Sequence, residues 1–297
     1  MNKAVGMHIV RYVLIFLTIL ALLVLVPSSI SLAAVQPIPL DQAKMEKVDP
    51  AFYLSETEYQ DESLHVVIGT GRVGDTNYMT ATVKIQDASQ IRSALASPNG
   101  KGASFASTLA KRVNAVLAVN GDYYMFHASD PKHVVRQGVV KKHNANGSCD
   151  ALIIDENGDF TIIPRATEAD FDAFNGQIVN CYAFGPGLVI NGELITEYVE
   201  TDIAPEKQAK RICIAQTGEL EYLIVASEGP EENKKSGLTI VEFATLVHSL
   251  GVQNAYNLDG GSSATIVFNN KKIYALSNPK TRQIADIIYF ASAYTTD

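Results

Sequence analysis

The segment Asn257–Thr265 combines residue types that could hold a charged or polar ligand. It reads Asn-Leu-Asp-Gly-Gly-Ser-Ser-Ala-Thr, so one carboxylate, Asp259, precedes two glycines and three hydroxyl side chains. Glycine lets the backbone turn sharply and approach a ligand closely. Successive N–H groups in such a turn can bind an anion, and hydroxyls can donate or accept hydrogen bonds. The pattern predicts a ligand-binding turn; the alternative is a plain glycine-rich turn.

A second turn repeats this layout. Asn120, Gly121 and Asp122 follow the apolar run Val116–Val119 and precede two tyrosines, Tyr123-Tyr124. Asn-Gly and Asp favour turns for local reasons, so the triplet alone is weak support for a site. The tyrosines suit either a wall on which a sugar stacks or the protein core. Two turns with the same order of strand, amide, glycine and carboxylate favour one shared site.

Three arginines are candidates for binding phosphate: Arg136, Arg211 and Arg282. A guanidinium matches two phosphoryl oxygens in geometry. Arg136 lies among apolar residues that favour strands, so it is either on an exposed face or an inward anion clamp. Glu228, at the end of another apolar run, is a further carboxylate, and the polar segment after it is a surface loop or a lid.

The sequence lacks several well-known motifs. There is no Gly-x-Ser-x-Gly elbow and no phosphate-binding or dinucleotide-binding glycine loop. Neither the histidines nor the cysteines have zinc-ligand spacing. His127 and His133 could line a pocket, although exposed loop positions are the commoner case. Of the three cysteines at least one is unpaired within the chain, and Cys181 and Cys213 are expected as buried strand residues.

Composition limits the class of protein. The chain has 297 residues, of which 47% are hydrophobic and 19% charged, as in globular domains with a large core. Its net charge is -8 and its pI is about 5.3. No basic run provides a footprint for nucleic acid, which argues against a nucleic-acid partner. A small phosphate-bearing substrate remains possible, because a few local arginines suffice to bind it.

The first 34 residues have the pattern of a secretory signal. Lys3 and Arg11 are their only charged residues, Val13–Val26 is uncharged, and small residues follow at Ser31–Ala34. We predict a signal peptide over residues 1–34, or an N-terminal anchor that attaches the protein to a membrane through residues 11–34. The protein is then extracytoplasmic, either secreted or anchored.

Residues 35–59 are predicted as a leader segment and residues 60–297 as one domain. Two helices are expected, at Ser104–Arg112 and Ile240–Leu250, the second with a capping box of Thr239 and Glu242. The fold class is α+β, a single strand-rich domain with a mixed β-sheet and few helices. Short apolar runs bounded by turn residues predict the strands, which are Leu64–Ile68, Met79–Ile85, Val116–Val119, Ala151–Ile154, Phe160–Ile163, Gly187–Ile190, Ile212–Ala215, Tyr222–Ala226, Ala255–Leu258, Thr265–Phe268 and Ile284–Phe290.

The order of these motifs resembles that of the phosphodiester glycosidase family, which includes exported bacterial proteins related to exopolysaccharides. The resemblance covers about residues 60–295. This chain has Ser262 where the family often has a third glycine, and Asp122 where it often has glycine. The matching motifs are Asn120-Gly121-Asp122-Tyr123-Tyr124, Arg136-Gln137-Gly138, Phe184-Gly185-Pro186-Gly187-Leu188, Arg211, Ser236-Gly237-Leu238-Thr239 and Asn257-Leu258-Asp259-Gly260-Gly261-Ser262-Ser263.

The resemblance implies an exported hydrolase that cleaves the glycosidic bond to phosphate in sugar phosphodiesters of cell-surface or extracellular glycans. It implies no required cofactor, although a divalent metal is possible. Glycosidic cleavage commonly uses two carboxyl groups, so we expect Asp259 as the acid/base or sugar-anchoring group, with Asp122 and Glu228 competing for the second role. The expected substrate-binding residues are Asn120, Gly121, Arg136, Arg211, Asn257, Gly260, Gly261, Ser262, Ser263 and Thr265.

Two alternatives use the same residues differently. A non-catalytic polysaccharide-binding module would hold sugar with these turns and tyrosines. A metal-dependent phosphodiesterase would use Asp122, Asp259 and Glu228 as oxygen ligands of a divalent ion.

Overall fold

A computed structural model describes residues 35–98, 102–122, 132–198, 204–274 and 280–294. The predicted signal or anchor over residues 1–34 lies outside these ranges, as do Tyr123, Tyr124 and His127. Within the described ranges, no helix is long and apolar enough to cross a membrane.

The described part of the chain is dominated by strands. In chain order they are β1 Glu58–Gln60, β2 Leu64–Val73, β3 Thr76–Ile85, β4 Ile91–Leu95, β5 Leu117–Asn120, β6 His133–Arg136, β7 Val139–His143, β8 Ala151–Asp155, β9 Phe160–Ile163, β10 Ile178–Tyr182, β11 Gly187–Ile190, β12 Glu193–Leu194, β13 Arg211–Gly218, β14 Glu221–Ser227, β15 Asn254–Asn257, β16 Ile266–Phe268, β17 Lys271–Tyr274 and β18 Asp286–Phe290. Each of the eleven predicted runs overlaps one of these strands.

The strands form three sheets. The first has eight strands in the order β1-β2-β3-β14-β13-β15-β11-β12, the second has β7-β6-β10-β8-β9, and the third has β17-β16-β5-β18-β4. Every pairing between the described strands is antiparallel. The prediction of a strand-rich domain with few helices is confirmed, whereas the prediction of a mixed sheet is wrong. Apolar runs do not distinguish parallel from antiparallel neighbours when both faces of a strand are covered.

The core lies between the sheets and draws side chains from all three. Val66, Ile214 and Tyr256 come from the first sheet, Ile154 from the second and Phe290 from the third. Strands β5, β15 and β18 are buried along their whole length. Their ends are therefore fixed by packing, so that a polar residue at such an end is held rigidly.

Three described α-helices accompany the sheets: α1 Ala106–Val113, α2 Glu168–Asp172 and α3 Ile240–Ser249. Helix α1 packs Leu109 and Val113 on the third sheet, and α3 packs Phe243 and Val247 on the first. The predicted capping box of α3 is present, since Glu242 N donates to Thr239 Oγ1 at 3.2 Å and Thr239 N donates to Glu242 Oε2 at 2.8 Å. Helix α2 is short and was not expected from the sequence.

Residues of the leader pack on the domain. Ile38 and Met45 are buried in the cluster that includes α1. Arg92, only 1% exposed, donates to the carbonyl oxygens of Pro39 at 2.9 Å, Leu40 at 3.2 Å and Gln42 at 3.0 Å. A buried guanidinium needs such acceptors to offset its lost hydration. This part of the leader therefore contributes to the folded domain.

Two strand connections use residues that tolerate left-handed backbone, and the cysteines agree with the sequence analysis. Asn157-Gly158 connects β8 to β9, and Asn269-Asn270 connects β16 to β17 with both residues in the left-handed region, at φ 49° and 61°. Cys181 and Cys213 are buried strand residues without disulfide bonds.

Candidate active site

The side chain of Asn120 joins the two predicted turns. Asn120 is the last residue of β5, in the third sheet, and its Nδ2 donates to the carbonyl oxygen of Asp259 at 2.9 Å. Its Oδ1 accepts a hydrogen bond from Thr265 N at 3.1 Å. Asn120 is completely buried, so both bonds form in a medium where losing either is unfavourable. The structure thus brings the two turns together, with Asn120 and Thr265 as braces.

The two glycines after Asp259 let this turn approach the start of β13. A Cβ on Gly260 would lie 2.4 Å from the carbonyl oxygen of Lys210, which excludes any other residue there without rearrangement. Gly261 has φ +55° and its N–H donates to the same oxygen at 3.0 Å. We expected the amides of this turn to contact phosphoryl oxygens. The structure instead commits the Gly261 amide to the protein backbone.

Asp259 has a partly exposed carboxyl group beside a cation. Its side chain is 17% exposed, and its Oδ2 lies 3.8 Å from a guanidinium nitrogen of Arg282. Burial raises the pKa of Asp259 above its ordinary value, while the hydroxyl of Ser263 and the charge of Arg282 lower it. A carboxyl group with a raised pKa and access to solvent can transfer protons near neutral pH.

Asp122 and Arg136 form a buried ion cluster with a third residue, Asp286. Arg136 Nη2 donates to Asp122 Oδ1 at 2.7 Å, and its Nε donates to Asp286 Oδ2 at 2.6 Å. The other oxygen of Asp122 accepts from Ala183 N at 2.7 Å. Both carboxyl side chains have no exposed surface and that of Arg136 is 2% exposed. Arg136 is an inward anion clamp, but its anions belong to the protein rather than to a phosphate.

This placement changes the expected roles of Arg136 and Asp122. A guanidinium that already donates to two buried carboxyl groups has little capacity for a phosphoryl group, so the placement of Arg136 does not favour its expected role in binding phosphate. Both oxygens of Asp122 are bonded and buried, which favours a positioning role over direct contact with substrate. Burial raises the pKa of Asp122 and that of Asp286, and the neighbouring Arg136 opposes both shifts.

The sequence analysis missed Asp286 as a functional candidate. The only available signal was a carboxylate inside the apolar run Ile284–Phe290, where burial requires a partner. Gly121 makes room for it, since a Cβ at that position would lie 2.2 Å from Asp286 Oδ1. Gly121 is thus required for close packing against this carboxylate, and its N–H donates to the Asp286 carbonyl at 3.1 Å.

Arg211 and Glu228 are engaged outside this cluster. Arg211 donates to the carbonyl oxygens of Leu238 at 3.1 Å and Lys207 at 2.7 Å, so its side chain braces the segment before β13 rather than the turn at Asp259. Glu228 Oε2 accepts from N and Nδ2 of Asn77, at 3.3 and 2.9 Å. Across the described ranges, no cluster brings Asp122, Asp259 and Glu228 within reach of one metal ion. The ligand set of the metal-dependent alternative is therefore not assembled.

Two buried polar atoms near Asp259 lack a partner. Asn257 Nδ2 donates to the Gly185 carbonyl at 2.8 Å, but its Oδ1 has no hydrogen-bond partner in the described part of the chain. The same holds for Ser263 Oγ, although its proximity lowers the pKa of the Asp259 carboxyl group.

Positive charge near Asp259 comes from Arg282 and Lys132. The backbone N–H of Arg282 donates to the Ser262 carbonyl at 2.8 Å, which fixes this arginine beside the turn, and half of its side chain is exposed. Lys132 is close enough to lower the pKa of both Asp259 and Asp122. Sequence analysis included Arg282 among three arginines but had no signal for Lys132. These two cations replace Arg136 and Arg211 as candidates for phosphate binding.

The model of the phosphodiester glycosidase family matches residues 113–291. This is more than half of the chain. The chain belongs to the phosphodiester glycosidase family. The match begins at the end of α1 and extends past β18, so it contains both turns, the buried ion cluster and Arg282.

Three relatives illustrate this similarity. A SPbeta prophage-derived uncharacterized protein, YomE, of Bacillus subtilis (strain 168) is 26% identical over 185 residues, which is 61% of this chain but only 28% of that protein. The zebrafish N-acetylglucosamine-1-phosphodiester alpha-N-acetylglucosaminidase catalytic domain, auto-inhibited by its pro-peptide, superposes with a TM-score of 0.64 at 18% identity, covering 78% of this chain and 84% of the other. A hypothetical protein from Synechocystis gives a TM-score of 0.53 at 18% identity, with coverages of 77% and 62%. The two structures show the shared fold.

Proposed function

We propose that this protein hydrolyses the glycosidic bond to phosphate in sugar-1-phosphodiesters, and that it does so outside the cytoplasm on cell-surface or extracellular glycans. The observation that carries the proposal is the carboxyl group of Asp259. It is partly buried, has a raised pKa, and lies 3.8 Å from a half-exposed arginine, Arg282. Family membership supports the class of reaction.

The charges around Asp259 suit a phosphate leaving group. Cleavage on the sugar side leaves a phosphate whose developing negative charge needs cations more than it needs a proton. Arg282 and Lys132 supply that positive charge.

Asp259 then accepts a proton from the attacking water. Since phosphate leaves with little protonation, the remaining proton transfer is from water as it attacks the anomeric carbon. The Asp259 carboxylate takes that proton as general base, and its raised pKa makes it a stronger base than an ordinary aspartate. The buried ion cluster of Asp122, Arg136 and Asp286 positions the neighbouring turn through its hydrogen bonds. In this proposal it contacts no substrate.

The first test is hydrolysis of UDP-N-acetylglucosamine and a panel of sugar-1-phosphodiesters, with and without chelator. Asp259→Asn should lower kcat by about 100-fold to 10,000-fold, the usual contribution of a general base. The matched control is Asp75→Asn, because Asp75 also faces an arginine, Arg72, at 3.2 Å but on the exposed surface. It should leave kcat unchanged.

Three results would count against the proposal. Near-normal turnover by Asp259→Asn would remove Asp259 from the mechanism. Saturable polysaccharide binding without release of any sugar would favour the non-catalytic binding module. Cleavage on the other side of the phosphate, abolished by chelator, would favour the metal-dependent phosphodiesterase.

Export is part of the proposal and rests on residues 1–34 of the sequence. Expression in a bacterial host, followed by fractionation and N-terminal sequencing, tests it. Recovery of the protein only from the cytoplasm, with its N-terminus intact, would contradict it.

A further inference from the structure

His133, His143 and Glu168 converge at a point in the second sheet. His133 on β6 pairs directly with His143 on β7, and Glu168 is the first residue of α2. One ligand-type atom from each lies within 4.8 Å of the other two. His133 Nδ1 is 2.9 Å from His143 Nδ1 and 3.3 Å from Glu168 Oε2, which also contacts His143 Nδ1.

Other contacts hold these three side chains in place. The second oxygen of Glu168 accepts a hydrogen bond from the backbone N–H of Ala145. The ring of His133 stacks on Phe171 of α2, with centroids 3.9 Å apart and planes inclined by 16°. Such outer contacts orient metal ligands in proteins of known metal content. These contacts within the protein thus orient the ligand atoms toward one another.

The three ligand-type atoms at this point are all acceptors unless a ring nitrogen carries a proton. Two imidazole nitrogens and a carboxylate oxygen direct lone pairs at one another, so a proton or a metal ion must lie between them. Imidazole and carboxylate are zinc ligands, and bonds of about 2.0–2.2 Å in a tetrahedral site separate ligand atoms by about 3.3–3.6 Å. Two of the three spacings, 2.9 and 3.3 Å, are close to that geometry, and the third, between His143 Nδ1 and Glu168 Oε2, is shorter.

The exposure of the three side chains leaves a route for the ion. The side chain of His133 is 6% exposed, that of Glu168 27% and that of His143 50%. One side of the cluster therefore faces water, which can supply the fourth ligand. Burial lowers the pKa of His133, which favours the neutral ring that binds metals.

We propose that His133, His143 and Glu168 bind a divalent transition-metal ion of the Zn²⁺ type. The ion joins the β6–β7 hairpin to α2. Arg136 lies three residues further along β6, about 10 Å away at the rise of a strand. The ion therefore stabilises the strand that carries the buried ion cluster and takes no part in the chemistry at Asp259.

The test is zinc binding by the full-length protein after removal of metals. Titration with Zn²⁺ against a chromophoric competitor should give one equivalent of tight binding. His143→Ala should weaken binding by more than the roughly 10–100-fold that loss of an outer contact produces. The matched control is His65→Ala, because His65 also pairs with a glutamate, Glu58, at 3.2 Å but offers no third ligand. It should bind zinc like the wild type.

Glu168→Gln provides a second variant that can still accept the bond from Ala145. It should also lose zinc affinity and the rise in Tm that zinc gives the wild type. Circular dichroism confirms that each variant is folded. Equal zinc affinity in wild type and His143→Ala, or no binding by folded wild type at micromolar zinc, would overturn the proposal. Because the measurement is metal binding, its outcome is independent of the glycosidase activity.

Discussion

Asp122 and Asp259 occupy comparable places in the fold but have opposite surroundings. Each lies just beyond the end of a buried strand that finishes in asparagine. The Asp122 carboxyl has no exposed surface and has partners at 2.7 Å on both oxygens. The Asp259 carboxyl is 17% exposed, and one of its oxygens lies 3.8 Å from the guanidinium of Arg282.

The comparison shows how one arrangement of residues serves two purposes. A buried carboxylate with both oxygens hydrogen-bonded stabilises the fold and fixes its neighbours. A carboxylate with weak partners and a raised pKa keeps its capacity for proton transfer. Asn120 links the two turns, so that the turn at Asp122 holds the turn at Asp259 in position. Four predictions test this division, in order of decreasing effect.

Replacing Asp122 and Asp259 in turn should show which of the two carboxylates stabilises the fold. Asp122→Ala leaves Arg136 with one fewer anion and Ala183 N–H without its acceptor, so the free energy of unfolding should fall by about 3–5 kcal/mol. Asp259→Ala breaks no strong bond, and its stability should stay within about 0.5 kcal/mol of the wild type. Urea denaturation measures both. Equal losses would show that the two carboxylates have the same role.

The buried cluster should make stability depend on pH. Burial raises the pKa of Asp286 to about 7, above that of the unfolded chain. The protonated form is thus favoured by folding, so its stabilising contribution is complete below the pKa of the unfolded chain, near 4, and is lost as pH rises to about 7. The wild type should lose stability relative to Asp286→Asn between about pH 4 and 7, with a slope of at most about 1.4 kcal/mol per pH unit, and the difference should be constant above that range.

Urea denaturation of both proteins across that range gives the difference directly. If the difference in the free energy of unfolding does not change with pH, Asp286 is charged throughout this range. The effect of Arg136 on its pKa then outweighs that of burial.

Arg282 should affect binding and the pH profile but not folding. Under the proposed function, Arg282→Gln removes a charge-assisted contact with the substrate phosphate, which should raise KM by about 10-fold, or about 1.4 kcal/mol. Because Arg282 lowers the pKa of Asp259, the variant should also need higher pH to reach full activity. Arg72→Gln, which removes an exposed arginine paired with Asp75, is the control. An unchanged KM and pH profile would exclude Arg282 from the site.

The smallest expected effect is the change in stability on replacing Ser263, and the buried Ser63 provides its control. Ser263 and Ser63 are both fully buried, but within the described ranges only Ser63 Oγ has hydrogen-bond partners, Asp61 at 2.9 Å and Ala293 N at 2.9 Å among them. Ser263→Ala should change stability by less than about 0.5 kcal/mol, whereas Ser63→Ala should cost about 1–3 kcal/mol. Thermal and urea denaturation distinguish them. A large loss for Ser263→Ala would show that its hydroxyl stabilises the free protein.

Local patterns in the sequence were sufficient for most of the elements. Alternating and continuous apolar runs identified eleven strands, and the capping box at Thr239 fixed the start of α3. Local turn chemistry also identified Asn120 and Asp259. These features depend on residues close together in the chain, which is why they could be predicted.

The partners of the charged residues could not be predicted. Arg136 lies on β6 of the second sheet and Asp286 on β18 of the third, so these residues, 150 apart in the chain, meet only because the two sheets pack together. Arg211 was a candidate for the same role as Arg136, yet it bonds to backbone carbonyls. His133 and His143 have no recognised spacing and face each other only through the register of β6 and β7. Packing of sheets and pairing of strands decide these contacts, and no local signal reports either.

The bonds of Arg92 have a consequence for how freely the chain can vary in length. Its guanidinium holds three carbonyls between Pro39 and Gln42, and its Nε donates to Tyr289 Oη at 3.2 Å. Tyr289 lies on β18, the strand that begins with Asp286. An insertion or deletion between residues 39 and 42 would move acceptors that Arg92 cannot follow without disturbing β18. Relatives that preserve the buried cluster should therefore differ in length before residue 38 or in surface loops, and rarely within this stretch.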